Sequence, residues 1–488
     1  MNNFKSERLR SRREFLQAGI AAAGSTLVSP LLSAEQAKKT SKRPNLLFIY
    51  HEGQRWDALS VAGNKILKTP NQDRIAREGV IFNNSFCTNA LCAPSRMTAA
   101  TGMYSSATGG TTNRTQEPLP SEIPLFTDLL HEAGYEVALC GKAHAGNGFR
   151  ERYWDYYFAY NGASTNYYQP RFYEGKHGIM GEERTYGKYV DDLIADRALA
   201  WLQQERDKPF CLLLWFQAPH APFFRDRSEL NLYDGVPIPI PATFDDDLKG
   251  YPGKPRAFAN AVNKIGTWDD VASVRSLEGL AKDYYAGLVA VDRNIGRVLE
   301  WLEQSGQLDD TAILQSSDHG FFLGEWRMFD KRFMHEPSIR VPTLLRYPQE
   351  FAAGTKVNEM VLNVDIAPTL LELAGVQVPH HMQGQSVVKL AKGTEGNWRK
   401  DWYYEYFEGG AYRVPQNRGI RTDRYKLIQY YESNPPEYEL YDLEADPGEL
   451  HNLAGNDSYS KLQAQLLSRM EELRKEVEGT GLRGWWNS

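Results

Sequence analysis

Ionisable side chains follow four apolar runs of this 488-residue chain. Asn45–Tyr50 (NLLFIY) leads to His51 and Glu52, and Glu136–Cys140 (EVALC) leads to Lys142 and His144. Phe210–Phe216 (FCLLLWF) leads to His220, and Ala312–Ser316 (AILQS) leads to Asp318 and His319. A lone His or Asp after a strand is ordinarily a capping or hydrogen-bonding residue. Four such endings at one sheet edge make a polar site, with groups able to ligate a metal or move a proton. A further segment, Cys92-Ala93-Pro94-Ser95-Arg96 with Thr101-Gly102 behind it, offers a thiol. On its own that cysteine reads either as a buried thiol ahead of a helix or as a nucleophile.

These residues need a frame that brings distant segments together. The apolar runs, with Thr343–Tyr347, are unbroken rather than alternating, as strands covered on both faces are. Helical patterns lie between them. Asp191–Arg206 is one. Leu277–Ser305 is the clearest, with Leu277, Leu280, Tyr284, Leu288, Val291, Ile295, Val298 and Leu302 on one stripe and Gly306 ending it. The alternation predicts an α/β fold with a mainly parallel sheet sandwiched by helices. In such a sheet, ligands bind beyond the carboxyl ends of the strands. Residues 221–275, rich in Pro, Asp and Gly, read as a long surface loop. Past residue 395 the chain is dense in Tyr and Trp. There Asp401–Phe407, Gly419–Arg421, Tyr425–Tyr431 and Tyr438–Tyr441 read as short strands, with a helix near 459–478. The expected division is a catalytic domain over 44–394 and a smaller C-terminal α+β domain over 395–488, built on an antiparallel sheet.

Composition narrows the function. Hydrophobic residues make up 42% and charged residues 24%, an ordinary globular balance. The 56 basic and 62 acidic residues leave a net charge of −6. No basic block stands out, which argues against a nucleic-acid partner. An anionic substrate must therefore meet a few local cations. Four cysteines do not make a disulfide framework. Cys87, Cys140 and Cys211 read as buried apolar thiols. His131, His177, His335, His380, His381 and His451 read as structural.

The N-terminus reads as an address. Ser11-Arg12-Arg13-Glu14-Phe15-Leu16 follows Lys5, Arg8 and Arg10, and an uncharged run continues from Phe15 to Ala34. That run is too weakly apolar for a membrane anchor. The pattern resembles a bacterial twin-arginine signal over 1–34, before a polar linker at 35–43. It implies passage through the twin-arginine machinery as a folded protein, to the periplasm or beyond.

The Cys92-x-Pro-Ser-Arg96 segment resembles the sulfatase family of the alkaline-phosphatase superfamily. In that family the motif directs conversion of the cysteine to formylglycine. The likeness continues in order: Arg43-Pro44-Asn45, Gln54-Arg55-Trp56-Asp57, Lys68-Thr69-Pro70-Asn71, Gly141-Lys142-Ala143-His144, Pro219-His220-Ala221-Pro222 and Ser317-Asp318-His319-Gly320. It runs on through Gly324-Glu325, Asp330-Lys331 and Glu336 to Tyr438-Glu439-Leu440-Tyr441-Asp442-Leu443. The resemblance implies a formylglycine at position 92, made by a maturation enzyme and hydrated to a diol. One hydroxyl attacks sulfur and the other then expels sulfate. Arg96 and His144 would hold the diol. Lys142 and Lys331 would balance the sulfate charge. His220 would protonate the leaving oxygen.

The resemblance also implies a calcium-like ion, and here the chain departs from its family. Where two adjacent aspartates are usual, this sequence has Glu52 and Gly53. Glu52, Asp318 and His319 remain as metal ligands, with His51 on the opposite side of the strand. Fewer carboxylates and one imidazole predict a weakened divalent site, with calcium by family and Mn²⁺ or Zn²⁺ as softer choices. The run from Gly320 to Met334 resembles N-acetylglucosamine-6-sulfatases and other glycosaminoglycan sulfatases, which implies a sulfated carbohydrate as substrate. Two alternatives stay open: a phosphonate or phosphate monoester hydrolase with the same site, and a non-catalytic binder of sulfated glycans.

Overall fold

A computed structural model describes residues 43–113, 119–145, 148–246, 258, 260–268, 270–410 and 412–480. The expected signal and most of the linker lie outside the described residues. The described residues from Arg43 onward form one compact unit.

Its centre is a ten-stranded sheet among the described residues. In spatial order the strands are Thr355–Leu362, Val80–Phe86, Thr343–Arg346, Thr311–Ser317, Asn45–His51, Phe210–Trp215, Glu136–Lys142, Tyr156–Tyr160, Arg171–Lys176 and Ile179–Thr185. Thr343–Arg346 and Arg171–Lys176 run against the others, so the sheet is mixed but mostly parallel. At its heart Asn45–His51 pairs in parallel with Thr311–Ser317 on one side and Phe210–Trp215 on the other, placing Leu47 beside Ile313 and Leu212.

Strand alternation decides which layer each side chain joins. Leu46, Phe48 and Tyr50 enter one core with Phe126, Leu130 and Leu139. Leu47 and Ile49 enter the other, with Ile295, Val298 and Leu302 of the helix Leu277–Gln304 and Ile194 of the helix Val190–Leu202. Each such side chain contributes about 1.5–3 kcal/mol of burial free energy. Helices therefore cover both faces, as the unbroken apolar strands require. Beyond the expected strands the sheet adds Val80–Phe86, Tyr156–Tyr160, Arg171–Lys176, Ile179–Thr185 and Thr355–Leu362.

The C-terminal part is a four-stranded antiparallel meander of Asp401–Tyr406, Asn417–Thr422, Tyr425–Tyr430 and Glu437–Asp442, followed by the helix Ser460–Thr480. Its Trp402, Tyr404 and Leu427 share a core with Phe86, Cys87, Ala90 and Leu91. The small sheet thus braces the segment that runs into Cys92. Among the described residues no helix is long and apolar enough to cross a membrane.

Candidate active site

The carboxyl ends of four central strands meet the start of one helix. Cys92 is the first residue of the helix Cys92–Thr101, all ten residues of which are buried. Pro94 fits this first turn because no intrahelical bond needs its missing N–H. The free amides and positive end of the helix favour an anion at this point. Sγ of Cys92 lies 3.0 Å from Oε1 of Glu52 and 3.4 Å from Nε2 of His319. Burial and Glu52 push this thiol up, but Lys142, Lys331 and His319 outweigh them and hold it well below its ordinary range.

Glu52 is the hub. Its Oε2 accepts from Lys142 Nζ at 2.6 Å and from Arg96 Nη2 at 3.0 Å. Its Oε1 faces His319 Nε2 at 3.4 Å, Lys331 Nζ at 3.5 Å and His220 Nε2 at 3.9 Å. Burial opposes its ionisation, yet Lys142 and Lys331 lead the charges that keep it well below the usual carboxylate range. Asp318 accepts from the Gly53 amide at 2.9 Å and from Arg96 Nε at 3.0 Å. Burial and then Glu52 push its carboxyl up to about 7, against the pull of His319 and Arg96. Burial would strip His319 of its proton, but Asp318 above all raises it to about 9. Nδ1 of His319 donates to the Gly320 carbonyl at 2.7 Å, which aims Nε2 into the cluster.

Arg96 is fully buried, donates to the Lys142 carbonyl at 2.9 Å, and lies against the rings of both Tyr50 and Trp215. Lys142 ends its strand through Gly141, where φ is +126° and a Cβ would stand 1.7 Å from the Trp215 carbonyl oxygen. Only glycine passes there. His144 is buried two residues beyond Lys142, and burial lowers it to about 4. Lys331 pairs with Asp330 at 3.1 Å, and Asp330, Cys92 and Glu52 hold it above its ordinary range against burial. His220 is half-buried, its Nδ1 donating to the Ala221 carbonyl at 2.7 Å.

The structure therefore gathers Glu52, Cys92, Arg96, Lys142, His144, His220, Asp318, His319 and Lys331 in one place. His51 is buried on the far side of its strand beside Phe216, with neither ring nitrogen paired. One ligand atom from each of Glu52, Cys92, Asp318 and His319 lies within 4.8 Å of the others. Two close carboxylates whose mutual repulsion raises Asp318, with an imidazole nitrogen turned inward, suit a divalent ion. Gly53 offers no side chain there. Its would-be Cβ stands 3.2 Å from Cε1 of His319, so the imidazole fills the space that a side chain at 53 would need.

Outward from this cluster opens a cavity of about 180 Å³, lined by Glu52, His220, His319 and Lys331 and by Asn113, Phe223, Trp268, Phe321, Phe329, Arg332 and Tyr412. Arg332 stacks on the Tyr412 ring and pairs with Asp330. Sequence reasoning missed Asn113, Trp268, Arg332 and Tyr412. For Arg332 a signal existed in its place next to Lys331. A buried chain from Tyr50 through Ser95 to Asn363, which fixes the Cys92 helix, had none.

The family model for sulfatases matches residues 44–376, and that for N-sulphoglucosamine sulphohydrolase, C-terminal, matches 324–476. The N-acetylglucosamine-6-O-sulfatase of Bacteroides thetaiotaomicron is 34% identical over 93% of this chain and 91% of its own. A structure solved in complex with its substrate D-glucosamine-2-N,6-O-disulfate aligns at a TM-score of 0.82, with 33% identity over 90% of this chain and 98% of its own. The phosphonate monoester hydrolase of Agrobacterium radiobacter shares the fold at a TM-score of 0.72, with 23% identity over 89% and 96% of the two chains.

Proposed function

The chain belongs to the sulfatase family, and we propose that it is an exported hydrolase that removes sulfate from a sulfated carbohydrate, a 6-O-sulfated amino sugar in particular, through a formylglycine made from Cys92. The observation that carries this reading is the seating of Cys92 on the buried helix start, against Glu52 and His319 and beside the cations Lys142 and Lys331. The similarity to an N-acetylglucosamine-6-O-sulfatase supports the choice of sugar. The twin-arginine pattern at Arg12-Arg13 supports export to the periplasm.

Hydrated formylglycine supplies the oxygen nucleophile for sulfur when Cys92 has been matured. Lys142 and Lys331 are fixed cations in a largely dry site, where their charge acts on sulfate oxygens more strongly than in water. Arg96, locked by Glu52, Asp318 and two aromatic rings, holds the helix start in register. His144 orients the group at position 92. His220 has Nδ1 committed to the Ala221 carbonyl, so Nε2 is the nitrogen that passes a proton to the leaving sugar oxygen. Glu52, Asp318 and His319 would hold a divalent ion, which adds positive charge at the sulfate oxygens. With two carboxylates and one imidazole the site binds calcium weakly and accepts Mn²⁺ or Zn²⁺.

The test is a panel of substrates given to matured protein. It should include sulfated mono- and oligosaccharides, an aryl sulfate and an aryl phosphonate. Sulfate release from 6-O-sulfated glucosamines is expected to exceed turnover of the others. A strong phosphonate preference would replace the reading with a phosphonate monoester hydrolase. Binding of a sulfated glycan with no sulfate release would replace it with a non-catalytic binder.

A further inference from the structure

Just before His220 in the chain, one buried carboxylate takes up the backbone of the loop. Asp191 is the second residue of the helix Val190–Leu202 and is fully buried. Its Oδ1 accepts the Gln217 amide at 2.8 Å and its Oδ2 accepts the Ala218 amide at 3.2 Å. Pro219 has no N–H, and the His220 amide closes back onto the Gln217 carbonyl at 3.0 Å. Every amide from 217 to 220 is thus committed, two of them to Asp191. Tyr167 donates to the His220 carbonyl at 2.5 Å, and the Gln217 side chain holds both backbone groups of Thr165.

A buried carboxylate is a costly way to satisfy two amides. Burial pushes Asp191 up to about 7 and Asp192 adds to the push, while the two amides and Arg293 pull the other way. A carboxylate nonetheless does what a neutral side chain of this size cannot. It presents two acceptor oxygens in one plane, so two successive amides are held at a fixed angle. Asn would turn an NH₂ toward one of the amides, leaving a buried donor facing a donor.

We propose that Asp191 is a positioning residue for His220, its two oxygens clamping the Gln217 and Ala218 amides so that Nε2 of His220 stays aimed at the leaving oxygen. The proposal rests on the reading of His220 as the proton donor.

The experiment uses matured full-length enzyme and two esters. One is a sugar 6-sulfate, whose alkoxide leaves poorly without a proton. The other is 4-nitrophenyl sulfate, whose phenolate leaves unaided. The proteins are wild type, Asp191→Asn, Asp191→Ser, His220→Ala and the double variant Asp191→Asn/His220→Ala, each checked for its Tm. General acid catalysis is worth about 10²–10⁴-fold, so Asp191→Asn is expected to lower kcat on the sugar ester by about 10–100-fold, with KM within about 2-fold. On 4-nitrophenyl sulfate the loss should be under about 3-fold, and the double variant should be no slower than His220→Ala. If Asp191→Asn does not fold, Asp191→Ser carries the same comparison. Equal losses from Asp191→Asn on both esters where His220→Ala discriminates between them, or losses that multiply in the double variant, overturn the positioning role. Should His220→Ala itself lose equally on both esters, the proton-donor reading falls. A non-additive double variant would still support Asp191 as what positions His220.

Discussion

Gly53 and His319 divide one space between them. A Cβ at 53 would press on Cε1 of His319 at 3.2 Å, and the backbone there sits at φ +59° with its amide on Asp318. The carboxylate missing at 53 and the imidazole present at 319 are two sides of one arrangement. Gly53→Asp, which restores the acidic pair usual in the family, is expected to weaken this site rather than repair it. Asp at that φ costs at most about 1 kcal/mol, and its Cβ makes the His319 ring give way by a few tenths of an ångström. Thermal unfolding should show a lower Tm, and titration should show weaker Mn²⁺ or Zn²⁺ binding. An unchanged Tm with tighter ion binding would sink the idea.

Removing the metal tests the same cluster from the other direction. Dialysis against a chelator is expected to remove most activity, because two carboxylates and one imidazole grip a divalent ion loosely. Mn²⁺ or Zn²⁺ should restore activity at lower concentration than Ca²⁺. Calcium that survives the chelator would contradict the weakened site, and unchanged activity in metal-free protein would contradict any role for the ion.

Lys426 ties the small sheet to the catalytic loop. It is fully buried and pairs with Glu336 at 2.9 Å and Glu449 at 2.7 Å, while Glu449 also accepts the Glu336 amide at 2.8 Å. Glu336 is five residues past Lys331 and also meets Arg421 at 3.2 Å. Lys426→Met leaves two buried carboxylates without their shared cation, which should cost about 3–5 kcal/mol. Urea unfolding measures it directly; a change below about 1 kcal/mol would show the network to be dispensable.

Asp292 predicts a pH dependence of stability. Its carboxylate accepts the Gln72 amide at 2.9 Å and both the amide and side chain of Asn71, yet burial raises it to about 6. The folded pKa lies above the unfolded one, so the native state holds more protons between about pH 4 and 6. The contribution of this group is fully present below the unfolded pKa and is lost as pH rises through 6. Across that window the loss is about 3 kcal/mol at most. Unfolding free energies of wild type minus Asp292→Asn, measured from pH 4 to 7, should fall by that order. A flat difference would contradict it.

How far the fold could be read ahead depended on burial. Strands such as Phe210–Trp215 and Thr311–Ser317 are apolar on both faces, and their ends pointed to the site through His220, Asp318 and His319. Arg171–Lys176 and Ile179–Thr185 were hidden because this edge hairpin is largely exposed and carries RFYEGK and EERT, with few apolar residues to mark it. Val80–Phe86 carries two asparagines in the middle of its run, which masks a strand that tertiary pairing on both sides sustains. In the site, residues inside motifs were legible, whereas Trp268 and Tyr412 reach the cavity from loops with no signature. Asp191 was legible only as a helix residue, because its partners Gln217 and Ala218 come from another strand end.

The mass of the peptide spanning Cys92, taken from protein made in a host with formylglycine-generating machinery and followed by sulfate release from the same preparation, tests the central claim most directly. The account predicts the mass of formylglycine in place of cysteine, with sulfate release that rises in proportion to that fraction and vanishes in Cys92→Ala. An unmodified thiol in a preparation that still releases sulfate from the sugar ester would contradict it.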